Sequence, residues 1–464
     1  MSGGKTINVQ TFLNETRFSA YQWITFALCF FVVLLDGFDT AAIGYIAPSL
    51  LKEWGITKPA LGPVLSAALF GLAAGALAAG PLADRLGRKL VLIGSTLVFA
   101  LACTASSFAG SLDQLTALRF VTGIGLGAAM PNAITLMSEY SPDKRRSLLT
   151  NAMFSGFPLG AAFGGFLAAW MIPQWGWRSV LLLGGIAPLV LVGMMIAFLP
   201  ESVRYMVAKQ MPAERIRAVL RRISAAVDQT TNFVMTEAAV AGSAARGGLL
   251  LVLSRGYLVG SVMMWLAYFM GLVIFYAVIN WMPLLMKDAG LSPQDATLIS
   301  ALFPLGGVGA IFFGWLMDRT NGNRVVAVGY LLTAAAIYGV GQAVGNVGLL
   351  MVLVLVGGSL LNTSQVSMPA LGAGFYPTRC RATGVAWMLG IGRFGGIAGS
   401  MLVAELTRRE LGLGTIFTVV AVPGIIAAAA LLIKQLAHPE TRAEHQAGVD
   451  EAHGHAEEVR IGGH

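Results

Sequence analysis

Charge is what this sequence has least of. Only 12% of its 464 residues are Asp, Glu, Lys or Arg, about half the share usual in a soluble globular chain. With 56% hydrophobic residues, that deficit excludes an ordinary soluble domain and points to a polytopic membrane protein. Cysteine is scarce too. Cys29 and Cys103 sit in apolar runs and Cys380 in a basic stretch, an odd and scattered set that builds neither a disulfide framework nor a metal site. All five histidines fall in the tail from His438, so no imidazole can relay protons within the apolar body. The His453-x-His455 pair in that polar tail reads as unstructured rather than metal-binding. No nucleophile–base pair, metal constellation or phosphate-binding loop is present, so we expect neither an enzyme nor a cofactor. The net charge of +8 is spread over short connections, which argues against a nucleic-acid surface.

What the chain does have is apolar length. Runs at roughly 23–47, 60–82, 89–109, 115–138, 149–171 and 178–199 precede a polar interval. A second set follows at roughly 256–283, 295–317, 325–344, 348–372, 383–406 and 414–435. Each approaches the ~20 residues a spanning helix needs, so the fold class is an all-α membrane protein with twelve transmembrane helices. The 57 glycines suit close helix–helix approach. The first run is of full spanning length and carries two aspartates, unlike a cleavable signal peptide. Lys and Arg concentrate in the even-numbered connections and the 200–255 interval, including Arg85, Arg88, Lys89, Lys144, Arg145, Arg146, Arg319, Arg324 and Arg381. By the positive-inside rule those connections and both termini are cytoplasmic.

The first span holds the principal chemical signal, Leu34-Leu35-Asp36-Gly37-Phe38-Asp39-Thr40. Asp36 and Asp39, at i and i+3, share a helix face. A charged Asp at the bilayer centre costs about 2.5–3.5 kcal/mol on insertion scales, so two should not both face lipid. They read as a proton-titrating pair; a surface-cap role is disfavoured by the apolar residues on either side.

The chain also repeats itself. Gly80-Pro81-Leu82-Ala83-Asp84-Arg85 recurs as Gly314-Trp315-Leu316-Met317-Asp318-Arg319, Glu139-Tyr140-Ser141-Pro142 is echoed by Phe375-Tyr376-Pro377-Thr378, and Pro200-Glu201-Ser202 by Pro439-Glu440-Thr441. All three pairs keep their order at an offset of about 235 residues, as parallel six-helix halves would with a site between them. The expected organisation is a cytoplasmic segment 1–22, a six-helix half 23–199, a solvated linker 200–255, a second half 256–437 and a flexible tail 438–464.

Gly80 to Lys89, with its second copy and the twelve spans, resembles the major facilitator superfamily, and the likeness covers nearly the whole chain. In that family Asp84 would cap a neighbouring helix and pair with arginines across the seam between halves. Asp84, Arg85, Arg88, Glu139, Arg145, Asp318, Arg319 and Arg381 would then form cytoplasmic gate networks. The second copy continues as Asn321-Gly322-Asn323-Arg324, away from the family pattern. Asp36-Gly37-Phe38-Asp39, Arg119 to Gly127 with Pro131-Asn132, and Trp387 to Gly395 are similar to the aromatic acid:proton symporters. Within them the chain is most like the 4-hydroxybenzoate/protocatechuate transporters, some of which carry a histidine where Asn323 stands.

Two arginines suit a carboxylate cargo. Arg393 lies mid-span among Gly390, Gly392, Gly395 and Gly396, which leave room for a ligand or a close helix, and a guanidinium holds a carboxylate bidentately. Pairing with a buried acid such as Glu405 is the competing role. Arg119 can bind substrate or, in the preferred reading, partner Asp36 or Asp39. Tyr268, Gln365, Trp387 and Asn362 are candidates for an aromatic-lined pocket, although membrane aromatics more often serve packing. The expected function is proton-coupled import of a small aromatic carboxylate by alternating access, performed by a monomer in a bacterial inner membrane. Another organic anion, a drug/proton antiporter or a non-transporting receptor are the rival readings.

Overall fold

The computed structural model describes residues 5–224, 227, 230–234, 250–254, 256–309, 321–343, 345–376 and 380–438. Its first half contains α1 (Val9–Glu15), α2 (Ala20–Trp54), α3 (Leu61–Leu86), α4 (Arg88–Ser106), α5 (Leu112–Tyr140), α6 (Arg146–Phe154), α7 (Gly156–Trp175) and α8 (Arg178–Phe198). Two short linker helices follow, α9 (Val203–Ala208) and α10 (Ala213–Arg221). The second half contains α11 (Leu258–Asp288), α12 (Pro293–Leu305), α13 (Gly322–Gln342), α14 (Val347–Phe375), α15 (Arg381–Arg408) and α16 (Leu413–Ala437). Eleven helices among the described residues are long and apolar enough to cross a membrane. The remaining expected span, 295–317, the eighth in order, starts as α12, and residues 310–320 lie outside the described residues.

Local chemistry sets the helix ends. A reciprocal capping box between Ser19 and Gln22 opens α2, and Gly55, at φ 61°, closes it in the left-handed conformation a glycine adopts without strain. The result is a 35-residue helix, longer at both ends than its apolar run. Gly87, at φ 97°, makes the sharp joint between α3 and α4.

Helix pairing shows the duplication in three dimensions. In the first half α2 packs on α7 and α8, α3 on α5, and α4 on α5 and α8. In the second half α11 packs on α15 and α16, α12 on α14, and α13 on α14 and α16. This is one pattern shifted by six spans. Between halves α2 meets α11, α3 meets α15, and α7 meets α12. Small residues permit the closest approaches: a Cβ at Gly123 or Gly127 of α5 would run into the Ala68 or Leu72 carbonyl of α3.

Three polar links cross the seam among the described residues. Lys58 pairs with Asp288 at 2.7 Å at one end, the Asn280 amide donates to the Leu65 carbonyl at 3.5 Å, and Arg393 donates to the Leu72 carbonyl at 3.1 Å near the middle of α3. None lies between Leu72 and the end that carries Gly87.

The terminal segment and linker depart from expectation. β1 (Lys5–Asn8) pairs in parallel with β2 (Thr230–Val234). Val9, Phe12 and Leu13 of α1, with Ile216 and Leu220 of α10, bury against Leu28, Val203 and Met206. Enough apolar side chains punctuate these polar stretches to form a second core beneath the first half, so the linker is not merely solvated.

Candidate functional site

α2 carries both aspartates into the protein interior, where they meet different neighbours. Asp39 is fully buried with Arg119 of α5. The two guanidinium nitrogens donate to its carboxylate oxygens at 2.8 and 2.7 Å, and one also reaches the Asp39 carbonyl at 3.3 Å. The Cys103 thiol of α4 donates to the same carboxylate at 3.2 Å. Three helices of one half are thereby tied at a single point.

Asp36 is also buried, at 2% exposure, but has no ion-pair partner among the described residues. Its hydrogen bond comes from the Thr40 hydroxyl one turn on, at 3.4 Å. The i, i+3 spacing separates two side chains by about 60° around a helix. That angle suffices to aim Asp39 at α5 and leave Asp36 toward the seam. Gly37 and Gly160 let α2 and α7 touch backbone to backbone on either side of it.

Arg393 of α15 lies near Asp36, across the seam from it. Asp36, Tyr268 and Tyr276 all lie within its electrostatic reach. The guanidinium is partly buried and has no carboxylate partner among the described residues; its bond is to the Leu72 carbonyl. Glu405 pairs instead with Arg408 and Arg409 at 2.7 and 2.8 Å. Three of the four glycines around Arg393 are occupied: Gly392 packs on the Tyr268 ring, Gly395 on the Phe269 carbonyl and Gly396 on the Tyr276 ring, while Gly390 borders open space. Behind them Gln365 accepts from the Tyr330 hydroxyl at 2.6 Å and donates to the Tyr268 carbonyl at 3.4 Å. The structure therefore brings together Asp36, Arg393, Tyr268, Tyr276 and Gln365.

Three expected pocket residues stand elsewhere. Arg119 is paired with Asp39 through both terminal nitrogens, its buried Nε having no partner among the described residues, and at 0% exposure it cannot meet a ligand in this conformation. Trp387 lies 45% exposed on the same outward stripe of α15 as Phe394 and Met401, stacked on Trp265 at 6.1 Å. Asn362 turns its amide to the Gly358 and Phe303 carbonyls at 2.8 and 3.4 Å. Two further polar residues take part. Asn280 links Ser400 (3.0 Å) to the first half. Lys434, buried in α16, donates to Asn323 at 2.7 Å and sits 4.8 Å over the Phe375 ring.

The expected gate takes a different form. Asp84 pairs with Arg88 four residues on, at 2.7 Å, with 70% of its side chain exposed, so it neither caps α4 nor reaches across the seam here. Glu201 performs the capping, accepting from the Arg88 and Lys89 backbone amides at 2.9 and 3.1 Å. A carboxylate at a helix N-terminus satisfies otherwise unpaired donors and complements the helix dipole. The Ser202 hydroxyl donates to Glu139, and the Tyr140 hydroxyl to the Glu201 carbonyl at 2.6 Å. The Tyr205 hydroxyl bonds the Arg85 carbonyl at 2.9 Å. Arg145 is exposed and does not join Glu139; its neighbour Arg146 pairs with Asp143. Asp318 and Arg319, and the side chain of Arg381, lie outside the described residues. The repeated Pro-Glu-Ser/Thr motif was the signal that could have flagged Glu201.

With this geometry in place, comparison with known proteins gives three findings. The sequence profile of the Major Facilitator Superfamily matches residues 29–400 and 264–458. The chain is 48% identical to the 4-hydroxybenzoate transporter PcaK of Pseudomonas putida over 94% of its own length and 97% of that protein's. It is 46% identical to the gallate transporter of the same species, over 92% and 94%. Among solved structures, the inward-open xylose transporter XylE from E. coli superposes with a TM-score of 0.70 at 19% identity, covering 91% of this chain and 97% of that one.

Proposed function

The chain belongs to the major facilitator superfamily, a family of transporters rather than enzymes, and from that premise we propose that it imports a small aromatic carboxylate together with protons. A multi-pass protein of this family sits in the inner membrane in bacteria. Two relatives above 45% identity are named for 4-hydroxybenzoate and gallate, both ring carboxylates. The single observation that carries the reading is the open Asp36–Arg393 couple: a buried carboxyl with no ion-pair partner among the described residues, within electrostatic reach of a guanidinium that has no acidic partner among them, on opposite sides of the seam.

In this mechanism Arg393 holds the substrate carboxylate in two parallel bonds. Tyr268 and Tyr276 flank the ring. Asp36 takes the proton. The proton neutralises Asp36 and leaves Arg393 free to bind an anion; the anion in turn screens Arg393 from Asp36. Each ligand thus favours the other, by the same factor in both directions. The halves then rock about the mid-level site from one access to the other, with the Gly87 end in the cytoplasm. Asp39 and Arg119 hold the first half in shape around Asp36. The working unit is one chain, without cofactor or nucleic acid. An inside-negative potential opposes entry of a monoanion by about 2.3 kcal/mol per 100 mV, and one accompanying proton cancels that penalty.

Uptake of labelled 4-hydroxybenzoate into proteoliposomes under an inward proton gradient tests this. Accumulation that an uncoupler abolishes is expected. Equilibration indifferent to the gradient removes proton coupling, and accumulation of only a non-aromatic acid removes the substrate class.

A further inference from the structure

A cleft of about 720 Å³, lined by both charged and apolar side chains, lies on the first half well away from the seam. It opens between the stretch joining α1 to α2 and the connection after α5, and is lined by Arg17, Lys144 and Arg145 together with Asp143 and Trp23. The one acid is already engaged. Asp143 pairs with Arg146 at 2.7 Å and accepts the Asn14 amide at 2.7 Å, while its backbone amide donates to the Asn14 side chain at 2.9 Å. Arg17, Lys144 and Arg145 are exposed and have no acidic partner among the described residues. Three uncompensated cations therefore face one concavity.

The surroundings say what kind of anion fits. Trp23 is 53% exposed and edge-packed on Phe18 at 5.0 Å and Phe26 at 5.6 Å, an arrangement suited to the membrane–water boundary. From it an apolar surface of Ile24 and Phe31, 41% and 46% exposed, runs along α2 toward the bilayer centre. A soluble phosphate would use the cations and leave this surface unused. A diacyl lipid uses both, with its headgroup among the cations and its chains along α2.

We propose that this cleft binds the phosphate headgroup of an anionic phospholipid in the leaflet on the Gly87 side. The lipid thereby holds the N-terminal segment against the connection after α5, and the site works independently of the substrate pathway.

Native mass spectrometry of the delipidated full-length protein, titrated with phosphatidylglycerol or with phosphatidylcholine of matched chains, tests the assignment. Wild type should retain phosphatidylglycerol preferentially. The R17Q/K144Q/R145Q variant should bind it about tenfold more weakly or worse, since each cation near an anionic surface contributes to attraction. The charge-preserving R17K/K144R/R145K variant should keep the preference, which separates lost charge from lost folding. Equal retention of the two lipids by wild type, or an unchanged phosphatidylglycerol titration in the glutamine variant, overturns the proposal. So does glycerol phosphate displacing the lipid at comparable concentration, which would make the cleft a soluble-anion site.

Discussion

Two Asp–Arg couples lie within the membrane body, and they are built in opposite ways. Asp39 and Arg119 belong to one half, are both fully buried, and form a two-pronged ion pair with a thiol as third donor. Asp36 and Arg393 belong to different halves and make no ion pair; each takes a hydrogen bond from or to an uncharged oxygen instead. Removing a carboxylate from water costs several kcal/mol unless a cation compensates it. The first couple meets that cost internally and is fixed. The second leaves it open, so a proton on one side and an anion on the other can complete it. A closed pair holds helices together; an open pair across a moving seam can respond to ligands.

The strongest way to break this contrast is to open the closed pair. Arg119→Ala leaves a buried, uncompensated carboxylate at Asp39, and breaking such a pair costs about 3–5 kcal/mol. A marked fall in the thermal midpoint of purified protein is expected. An unchanged midpoint would mean that the two couples do not differ in the way described. The next effect is on binding rather than folding. Arg393→Ala should leave the midpoint near wild type while weakening 4-hydroxybenzoate binding by roughly 30-fold, from the loss of a charged hydrogen-bonding partner worth about 2 kcal/mol. Scintillation proximity binding reads this directly, and wild-type affinity in the variant would remove Arg393 from the site. The smallest effect lies outside both couples. Glu201→Gln weakens the cap on α4 and should cost about 1 kcal/mol, a midpoint shift well below that of Arg119→Ala; an equal or larger shift would make the Gly87 end the dominant brace.

Much of the architecture was legible because membrane spans declare themselves by length and the repeat declares itself by order. The bounds of α3, α5, α15 and α16 fall within a few residues of their apolar runs. Asp36, Asp39, Arg119 and Arg393 announced themselves as charges where charge is expensive. The partners were harder to read. Asp36 and Asp39 look equivalent at i and i+3, and only the neighbours that α5 and α15 supply tell them apart. Trp387 misled because α15 is apolar on nearly every side, so the sequence carries no period that separates the outward stripe from the inward one. Glu201 was overlooked because its role, capping α4, depends on a helix more than a hundred residues earlier in the chain.

The most direct test pairs two conservative changes three residues apart. Asp36→Asn and Asp39→Asn proteins are reconstituted, and each is assayed for gradient-driven accumulation of 4-hydroxybenzoate and for exchange of labelled against unlabelled substrate without a gradient. Asp36→Asn should lose accumulation and retain exchange, because the substrate site survives while the proton step does not. Full accumulation by Asp36→Asn, or the same uncoupled exchange from a stably folded Asp39→Asn protein, would contradict the assignment of the proton to the open couple.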